Sequence, residues 1–394
     1  MVARSKEAKA IGVPMGSPWF KLRDLAKQHR IIALSSNYEL YADMSNRVVE
    51  VLRDFSPDIE VYSIDESFLS LDGMTGISKG SFTAYGQKIR QRVARWVGLP
   101  VCVGVGSTKT RAKFANHLAK KNPCFDGVCD FESLSLSEQA DWMARNEVGE
   151  VWGVGRRITQ KLGTMGIHMV LDLQRADLEL MRRAFSVVMQ RTVRELQGCS
   201  CLPLEMMMPT KQQIMSSRSF GKPVYELEEL KEAVATYICR AAEKLRAQNS
   251  VAGAVTVAVM TNRFKPDEPQ YSRSVIVPIP DPTADSRILV AYAIRVLEQI
   301  YRPGFAYKKA AVMLSELTPK SQRQASLWDM DADELPRQRS ERLVGVLDEI
   351  NRRFGRGTLK IGSMGTAAAW TMKRERVSPR YTTRWSDIPK VLAR

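Results

Sequence analysis

Residues 59–71 have the apolar pattern of two short strands around an acidic pair. Side chains at 59–63 alternate with the two-residue period of a half-buried strand, and a second apolar run follows at 68–71. We predict a β-hairpin with Asp65 and Glu66 at or near its turn. Adjacent side chains on a straight strand point to opposite faces, whereas at a turn these two carboxylates can converge on one divalent cation. A solvated acidic hairpin tip is the plainer alternative.

Around this hairpin, apolar residues recur at helical spacing. The pattern predicts helices over residues 4–11, 38–52, 85–97 and 107–121. Residues 100–106 form a short apolar strand, which we expect to lie beside the hairpin. The order of strand, Gly-x-Gly and basic helix is typical of a phosphate-binding turn, although a full Gly-x-Gly-x-x-Gly and a Walker lysine are absent.

The segment from residue 131 to 208 is predicted to be helical throughout. Within it, residues 151–163 have the apolar-Gly-apolar-Gly form of a helix-hairpin-helix, a motif whose turn and following helix bind a backbone phosphate. The residues expected to contact DNA in this way are Gly153, Gly155, Arg156, Arg157 and Lys161. A plain turn between two packed helices is the alternative.

Residues 211–317 form a separate block with its own order of elements. Strands are predicted at 213–220, 254–260, 271–279 and 309–317, and amphipathic helices at 227–245 and 286–301. This order is βαββαβ, two split units around one sheet. Basic residues, among them Arg218, lie on its strands and loops. They are compatible with DNA binding and equally with an ordinary solvated surface.

Charge narrows the class of partner. The chain has 59 Lys+Arg against 43 Asp+Glu, a net charge of +16, which favours nucleic acid first and an acidic membrane surface second. No run of about 20 apolar residues is present, and the N-terminus lacks the apolar core of a signal peptide, so we expect a cytoplasmic protein. The six cysteines form no CxxC pair and are expected to be reduced thiols.

The composition changes after residue 317. A linker leads to Gln324-Ala-Ser-Leu327-Trp328, a glutamine followed by a Leu-aromatic pair that can dock into a hydrophobic groove. Residues 371–394 carry seven Lys/Arg against Glu375 and Asp387 and form a basic tail.

Taken together, these motifs resemble those of the Y-family translesion DNA polymerases. The matching stretches are Tyr62-Ser-Ile-Asp-Glu-Ser67, Val103-Gly-Val-Gly106 leading to Leu118-Ala-Lys-Lys121, Val151-Trp-Gly-Val-Gly155, residues 35–46 and Ser217-Arg-Ser-Phe-Gly221. The tail stretch 377–387 is similar to the branch of the family that works with a UmuD′-like subunit. The resemblance covers essentially the whole chain.

The resemblance implies an α+β multidomain fold, the right hand of these polymerases. It places partial fingers at 1–37, a palm at 38–130, a helix-hairpin-helix thumb at 131–208, a βαββαβ little finger at 211–317 and a clamp- and partner-binding tail at 318–394. The implied activity is error-prone translesion synthesis in the SOS response to DNA damage. The implied partners are primer-template DNA, dNTP, a UmuD′-like subunit, a sliding clamp and a RecA filament, with no membrane.

The resemblance also implies roles for particular residues. Asp65 and Glu66 are two of the three carboxylates that hold two Mg²⁺ ions in this family. Lys9 and Lys120 match cations that contact the triphosphate. The pentapeptide Gln324-Ala-Ser-Leu327-Trp328 resembles the sliding-clamp-binding motif, with Trp in place of the usual Phe.

One departure from the family pattern bears on activity. The family's first palm strand carries a metal-binding aspartate and is followed by an aromatic steric gate, whereas residue 1 here already lies at the fingers helix. We therefore expect a truncated or mis-started chain that is impaired in synthesis, because two Mg²⁺ ions are poorly held by Asp65 and Glu66 alone. A DNA- and clamp-binding protein without catalysis is the alternative, and a structure-specific nuclease is a weaker one.

Overall fold

The computed structural model describes residues 2–74, 82–207, 209–322, 334–366 and 370–392. They form two compact units. The first comprises Met1–Met208 and Val377–Arg394, and the second comprises Pro209–Arg376. Both units mix helices with sheet, as the α+β prediction requires. Among the described residues, no helix combines the length and apolar character needed to cross a bilayer.

The first half of the first unit follows the predicted pattern of helices around a hairpin. Its elements in chain order are α1 Lys6–Ala10, α2 Arg23–Gln28, α3 Tyr38–Arg53, β1 Ile59–Val61, β2 Ser67–Leu69, α4 Phe82–Val97, β3 Val103–Val105, α5 Lys109–Lys121 and β4 Val128–Asp130. Side-chain caps set two of the helix starts. Ser5 accepts a hydrogen bond from the Ala8 N–H, and Thr108 accepts one from the Arg111 N–H.

The hairpin prediction is confirmed. β1 pairs antiparallel with β2, with Val61 opposite Ser67, so residues 62–66 form the connecting loop and contain both carboxylates. Apolar side chains of α3 and α4, including Val51 and Val93, pack with those of the hairpin, together with Phe55 just after α3. This small core fixes the base of the loop and leaves its tip in solvent.

The predicted position of β3 beside the hairpin is wrong for the described strands. β3 instead pairs parallel with β4, with Val103 opposite Val128 and Val105 opposite Asp130. β4 is a three-residue strand whose residues are all buried, and a run this short gives no periodic signal in the sequence. With α5 between them, β3 and β4 make a βαβ unit.

Residues 131–196 contain the predicted helices. The prediction of helix as far as residue 208 is wrong for residues 197–207, which carry none. The α-helices are α6 Leu136–Ala144, α7 Arg156–Gly163, α8 Val170–Gln174, α9 Leu178–Ala184 and α10 Val187–Leu196. Their apolar faces share one buried cluster with α5, which includes Phe114, Leu118, Leu162 and Val193. α5 therefore joins the hairpin region to the helical region.

The second unit confirms the βαββαβ order. Its elements are β5 Ile214–Val224, α11 Leu227–Ala247, β6 Ser250–Thr261, β7 Ser272–Thr283, α12 Ser286–Ile300 and β8 Tyr307–Pro319. The antiparallel sheet has the strand order β5-β8-β6-β7. Val255, Val257 and Val259 on β6 are fully buried in the core that α11 and α12 complete. The opposite face of the sheet carries no described helix.

A long helix lies where the sequence predicted only a linker and tail. α13 spans Glu334–Phe354 and belongs to the second unit. Arg246 of α11 holds it through two hydrogen bonds to Asp348, of 2.6 and 2.7 Å, and Val344 is buried. The helix was missed because the segment is rich in charged residues.

The chain then returns to the first unit at Val377. Asn37, which is fully buried, donates from its side-chain amide to the carbonyl and hydroxyl oxygens of Ser378, both at 3.0 Å, and to the Pro379 carbonyl at 3.3 Å. Ser35 and Val377 form a parallel bridge. Part of the predicted tail is therefore packed against the start of α3.

Candidate active site and nucleic-acid contacts

The loop of the hairpin holds its two carboxylates in an ordered turn. The Ser63 N–H donates to the Glu66 carbonyl at 3.0 Å and closes the loop. The Ser63 hydroxyl donates to Asp65 Oδ1 at 2.7 Å. Asp65 and Glu66 are both exposed. The structure thus brings the two predicted metal ligands together at a solvent-facing tip.

Lys113 of α5 reaches this tip, a contact that the sequence did not predict. Its Nζ lies 2.5 Å from Glu66 Oε1, and its side chain is 17% exposed against 44% for Glu66. The ammonium also lies 5.3 Å from the Tyr62 ring centroid and 5.6 Å from that of Trp152. The one signal in the sequence was the position of Lys113 in the basic helix after Gly106.

A second lysine fixes the base of the hairpin to α5. Lys109 forms a largely buried ion pair with Glu60 of β1 and donates to the Pro203 carbonyl at 2.7 Å. Glu60 also accepts the Glu205 N–H at 2.8 Å. Because each buried polar group has a partner, this network fixes the position of the hairpin beneath its exposed tip.

The two carboxylates at the hairpin tip have the type of ligand atom that a divalent cation requires, because Mg²⁺ prefers oxygen ligands. They do not form a full ligand set with other side chains. Within the described ranges, no cluster of three or more His, Cys, Asp and Glu residues could hold a metal ion. Asp65 and Glu66 are therefore two oxygen ligands of the kind that a metal site at this tip would require.

The two predicted triphosphate contacts lie on exposed helix ends. Lys9 is in the last turn of α1, and Lys120 is in the last turn of α5. Lys120 is seven residues beyond Lys113, roughly 10 Å further along the helix axis. Lys113 lies nearer to Glu66 along α5 than Lys120 does.

The predicted helix-hairpin-helix turn has the geometry that its glycines require. Gly153 has a φ of +85°, a conformation that favours glycine, and no atom lies within 4 Å of the position its Cβ would occupy. Gly155 is the N-cap of α7, and Arg156 and Arg157 follow it in exposed positions. Free N–H groups at a helix start and two adjacent guanidinium groups suit a backbone phosphate.

Lys161 differs from these two arginines because it is engaged within the helical region. Its Nζ donates to the Ala184 carbonyl and lies 4.6 Å from the centroid of the Phe185 ring. The prediction that Lys161 contacts DNA therefore requires that it give up or share this contact.

Arg218 lies on the helix-covered side of the second unit's sheet. It pairs in register with Ala310, which is buried in the core under α11. Burial lowers the pKa of nearby Arg240, and the positive charges of Arg218 and Arg356 lower it further. Arg218 is thus part of an arginine cluster at the edge of β5.

One row of residues on the open side of the same sheet has small side chains. In this row across the four strands, Ser217 pairs with Ala311, Ala311 with Ala258, and Ala258 with Ser274. Small side chains allow close approach by another surface. The predicted clamp contacts Gln324, Leu327 and Trp328 lie outside the described residues.

Comparison with known proteins identifies matching regions along most of the chain. Residues 1–117 match the impB/mucB/samB family, and residues 211–327 match the C-terminal domain of that family. Residues 341–391 match a domain of unknown function, DUF4113. α13 and the returning tail therefore belong to a recognised module without an assigned role.

Curated relatives are similar over nearly the full length of the chain. The protein UmuC of Salmonella typhimurium strain LT2 is 43% identical over 392 residues, which cover 99% of this chain and 91% of UmuC. ImpB of Salmonella typhimurium is 43% identical over 389 residues, with 99% and 90% covered. A DNA polymerase IV of Pelotomaculum thermopropionicum is 27% identical over 365 residues, with 90% and 83% covered.

The fold is similar to that of solved polymerases. A Y-family DNA polymerase chimera of Dbh and Dpo4 has a TM-score of 0.62 at 21% identity, with 81% of this chain and 87% of that chain covered. At this identity, the likeness establishes the fold. The chain belongs to the impB/mucB/samB family and has the fold of the Y-family DNA polymerases.

Proposed function

We propose that this protein carries out template-directed nucleotidyl transfer and bypasses lesions with low fidelity in the SOS response to DNA damage. The observation that carries the proposal is the pair of exposed carboxylates, Asp65 and Glu66, at the tip of an ordered hairpin loop. They stand in a chain that is 43% identical to UmuC over 392 residues.

Asp65 and Glu66 would hold a Mg²⁺ ion. When bound, the ion would supply positive charge that stabilises the reacting phosphate and activates the primer 3′-hydroxyl. Lys113 holds the Glu66 carboxylate at 2.5 Å and has to release or share it when a cation binds. The Lys109–Glu60 pair keeps the loop at a fixed distance from α5 during this exchange.

The remaining cations bind the substrates. Lys9 and Lys120 are exposed and contact the triphosphate of the incoming dNTP. The turn at Gly153 and Gly155, with Arg156, Arg157 and Lys161, binds the primer-template backbone without reading its sequence. Arg218 contributes to DNA binding from the second unit.

The partners follow from the family. A UmuD′-like subunit, a sliding clamp docked on Gln324, Leu327 and Trp328, and a RecA filament are proposed to recruit the protein to damaged DNA in the cytoplasm. Pull-down of the clamp with the full chain and with a Leu327→Ala/Trp328→Ala variant tests the pentapeptide, and equal recovery would contradict its role.

We further propose that a polypeptide of these 394 residues extends primers slowly. Among the residues that the structure describes, two carboxylates lie at the tip of the hairpin. A cation with fewer protein ligands is held less tightly. Robust synthesis by this polypeptide would contradict that part of the proposal.

Primer extension on undamaged and lesion-bearing templates tests the function. We expect measurable Mg²⁺-dependent extension by the wild type and its loss in Asp65→Ala, with DNA affinity unchanged. The alternative function is a non-catalytic protein that binds damaged DNA and the clamp. This alternative is favoured by the presence of two carboxylates at the hairpin tip. Equal behaviour of the wild type and Asp65→Ala in all assays would support it.

A further inference from the structure

A short segment of the DUF4113 region packs on the edge of the second unit's sheet. Trp370 is 5% exposed, and its ring lies 5.6 Å from that of Tyr237 and 6.4 Å from that of Phe220. The Gly221 N–H donates to the Trp370 carbonyl at 3.3 Å. Since β5 is an edge strand, this bond uses a donor that the sheet leaves unpaired.

Gly221 allows this close packing. A Cβ at position 221 would lie 2.4 Å from the Thr371 carbonyl oxygen and 3.1 Å from Lys373 Cγ. The first of these atoms belongs to the backbone and cannot move aside without shifting the segment. A side chain at position 221 would therefore displace residues 371–373 from β5.

The two pieces of chain border an open cleft with a volume of about 310 Å³. It is lined by residues of β5 and of the segment, namely Gly221, Lys222, Thr371, Met372, Lys373, Arg374 and Glu375. Three of these carry positive charge and one carries negative charge. The lining therefore has a net positive charge. It belongs to the second unit, in which residues 211–327 match the family's C-terminal domain.

Further positive charge lies next to this cleft. Lys308 occupies an irregularity in the pairing of β8 and donates from Nζ to the Phe220 carbonyl at 2.5 Å. Burial lowers the pKa of Lys308, and the positive charges of Lys265 and Lys373 lower it further. Lys265 also pairs with Glu268 at 2.5 Å. An anion in the cleft would reduce this mutual repulsion.

We propose that the cleft between Gly221–Lys222 and Thr371–Glu375 binds a phosphodiester of the DNA backbone. This inference rests on the proposed function, because it takes DNA as the protein's substrate. It assigns to the DUF4113 segment a direct part in holding DNA on the second unit. Lysine ammonium groups act as point charges toward phosphate, so the contact adds affinity and no base specificity.

The salt dependence of DNA binding tests the site. Fluorescence anisotropy with labelled primer-template DNA and the full chain would be measured from low to physiological salt. Lys373→Gln is expected to weaken binding several-fold and to reduce the slope of log K against log salt by about 0.9, the effect of losing one phosphate contact. Lys244→Gln, an exposed lysine on α11, is the matched control and should leave the slope unchanged.

A second variant tests the geometry of the cleft. Gly221→Ala keeps every charge but displaces residues 371–373, and it should reproduce the reduced slope. Circular dichroism would show whether the sheet remains folded. If the wild type binds DNA and the Lys373→Gln, Gly221→Ala and Lys244→Gln variants all share its slope, the cleft is not a phosphate site.

Two other outcomes overturn the inference in distinguishable ways. Failure of the wild type to bind DNA at any salt would refute both this site and the proposed function. Unchanged DNA binding, together with loss of polyglutamate binding in Lys373→Gln, would assign the cleft to an acidic peptide instead.

Discussion

Two glutamates of the first unit show how the same side chain is used for structure and for chemistry. Glu195, in α10, is fully buried and accepts hydrogen bonds from the N–H groups of Thr110, Cys201 and Leu202, at 3.0, 2.6 and 3.2 Å. Glu66 is 44% exposed and is paired with the flexible side chain of Lys113. The first carboxylate is held by fixed backbone donors, whereas the second is held by one flexible side chain that the proposed metal ion would displace.

Removing the buried carboxylate should have the largest effect on stability. Glu195→Ala leaves the buried N–H of Thr110 and the partly buried N–H groups of Cys201 and Leu202 without their acceptor, and a buried unpaired donor costs about 1–3 kcal/mol. We expect the free energy of unfolding to fall by about 3 kcal/mol or more in urea denaturation. Glu66→Ala is the control and should change it by less than about 0.5 kcal/mol. An equal decrease in the free energy of unfolding in the two variants would contradict the distinction between the buried and the exposed glutamate.

Removing the buried side-chain amide of Asn37, at the start of α3, should have the second-largest effect on stability. Asn37 caps the helix by accepting the Leu40 N–H and donates to the returning tail at Ser378 and Pro379. Asn37→Ala should lower the free energy of unfolding by about 1–2 kcal/mol, because a cap and a buried contact are both lost. Protease cleavage within 377–392 should also become faster. Asn46→Ala, an exposed position on the same helix, should do neither.

The exposed ion pair should have the smallest effect on stability and a measurable one on metal use. Lys113→Met removes a partly exposed pair worth at most about 1 kcal/mol. Because Glu66 is then no longer paired with an ammonium group, the Mg²⁺ concentration for half-maximal extension should fall by a few-fold. Lys88→Met, on an exposed position of α4, is the control. A higher Mg²⁺ requirement in Lys113→Met would instead indicate that Lys113 supports the site.

The sequence predicted those elements whose residues carry a local signal. α11 and β6 have long apolar periodicity, and both were predicted within a few residues of their observed bounds. The hairpin and its acidic tip were predicted from the alternating pattern at residues 59–63 and the apolar run at 68–71. β4 and α13 were missed, because one is three residues long and the other is dominated by charged residues.

Contacts between distant residues could not be predicted in this way. Lys113 and Glu66 are 47 residues apart, and Asn37 and Ser378 are 341 apart. No local pattern selects such partners, since they depend on how the elements pack. The acidic tip of the hairpin was therefore recognisable from the sequence, while the lysine that holds Glu66 and the tail that holds α3 were not.

Metal binding by a matched pair of variants tests the central claim most directly. Asp65 and Asp72 have similar local geometry, since each accepts a hydrogen bond from the serine two residues earlier, at 2.7 and 3.0 Å. Mn²⁺ titration followed by electron paramagnetic resonance would compare Asp65→Asn and Asp72→Asn with the wild type. We predict at least about ten-fold weaker Mn²⁺ binding, a loss of about 1.4 kcal/mol, in Asp65→Asn and wild-type binding in Asp72→Asn. Wild-type affinity in Asp65→Asn would contradict the assignment of the hairpin tip as the metal site.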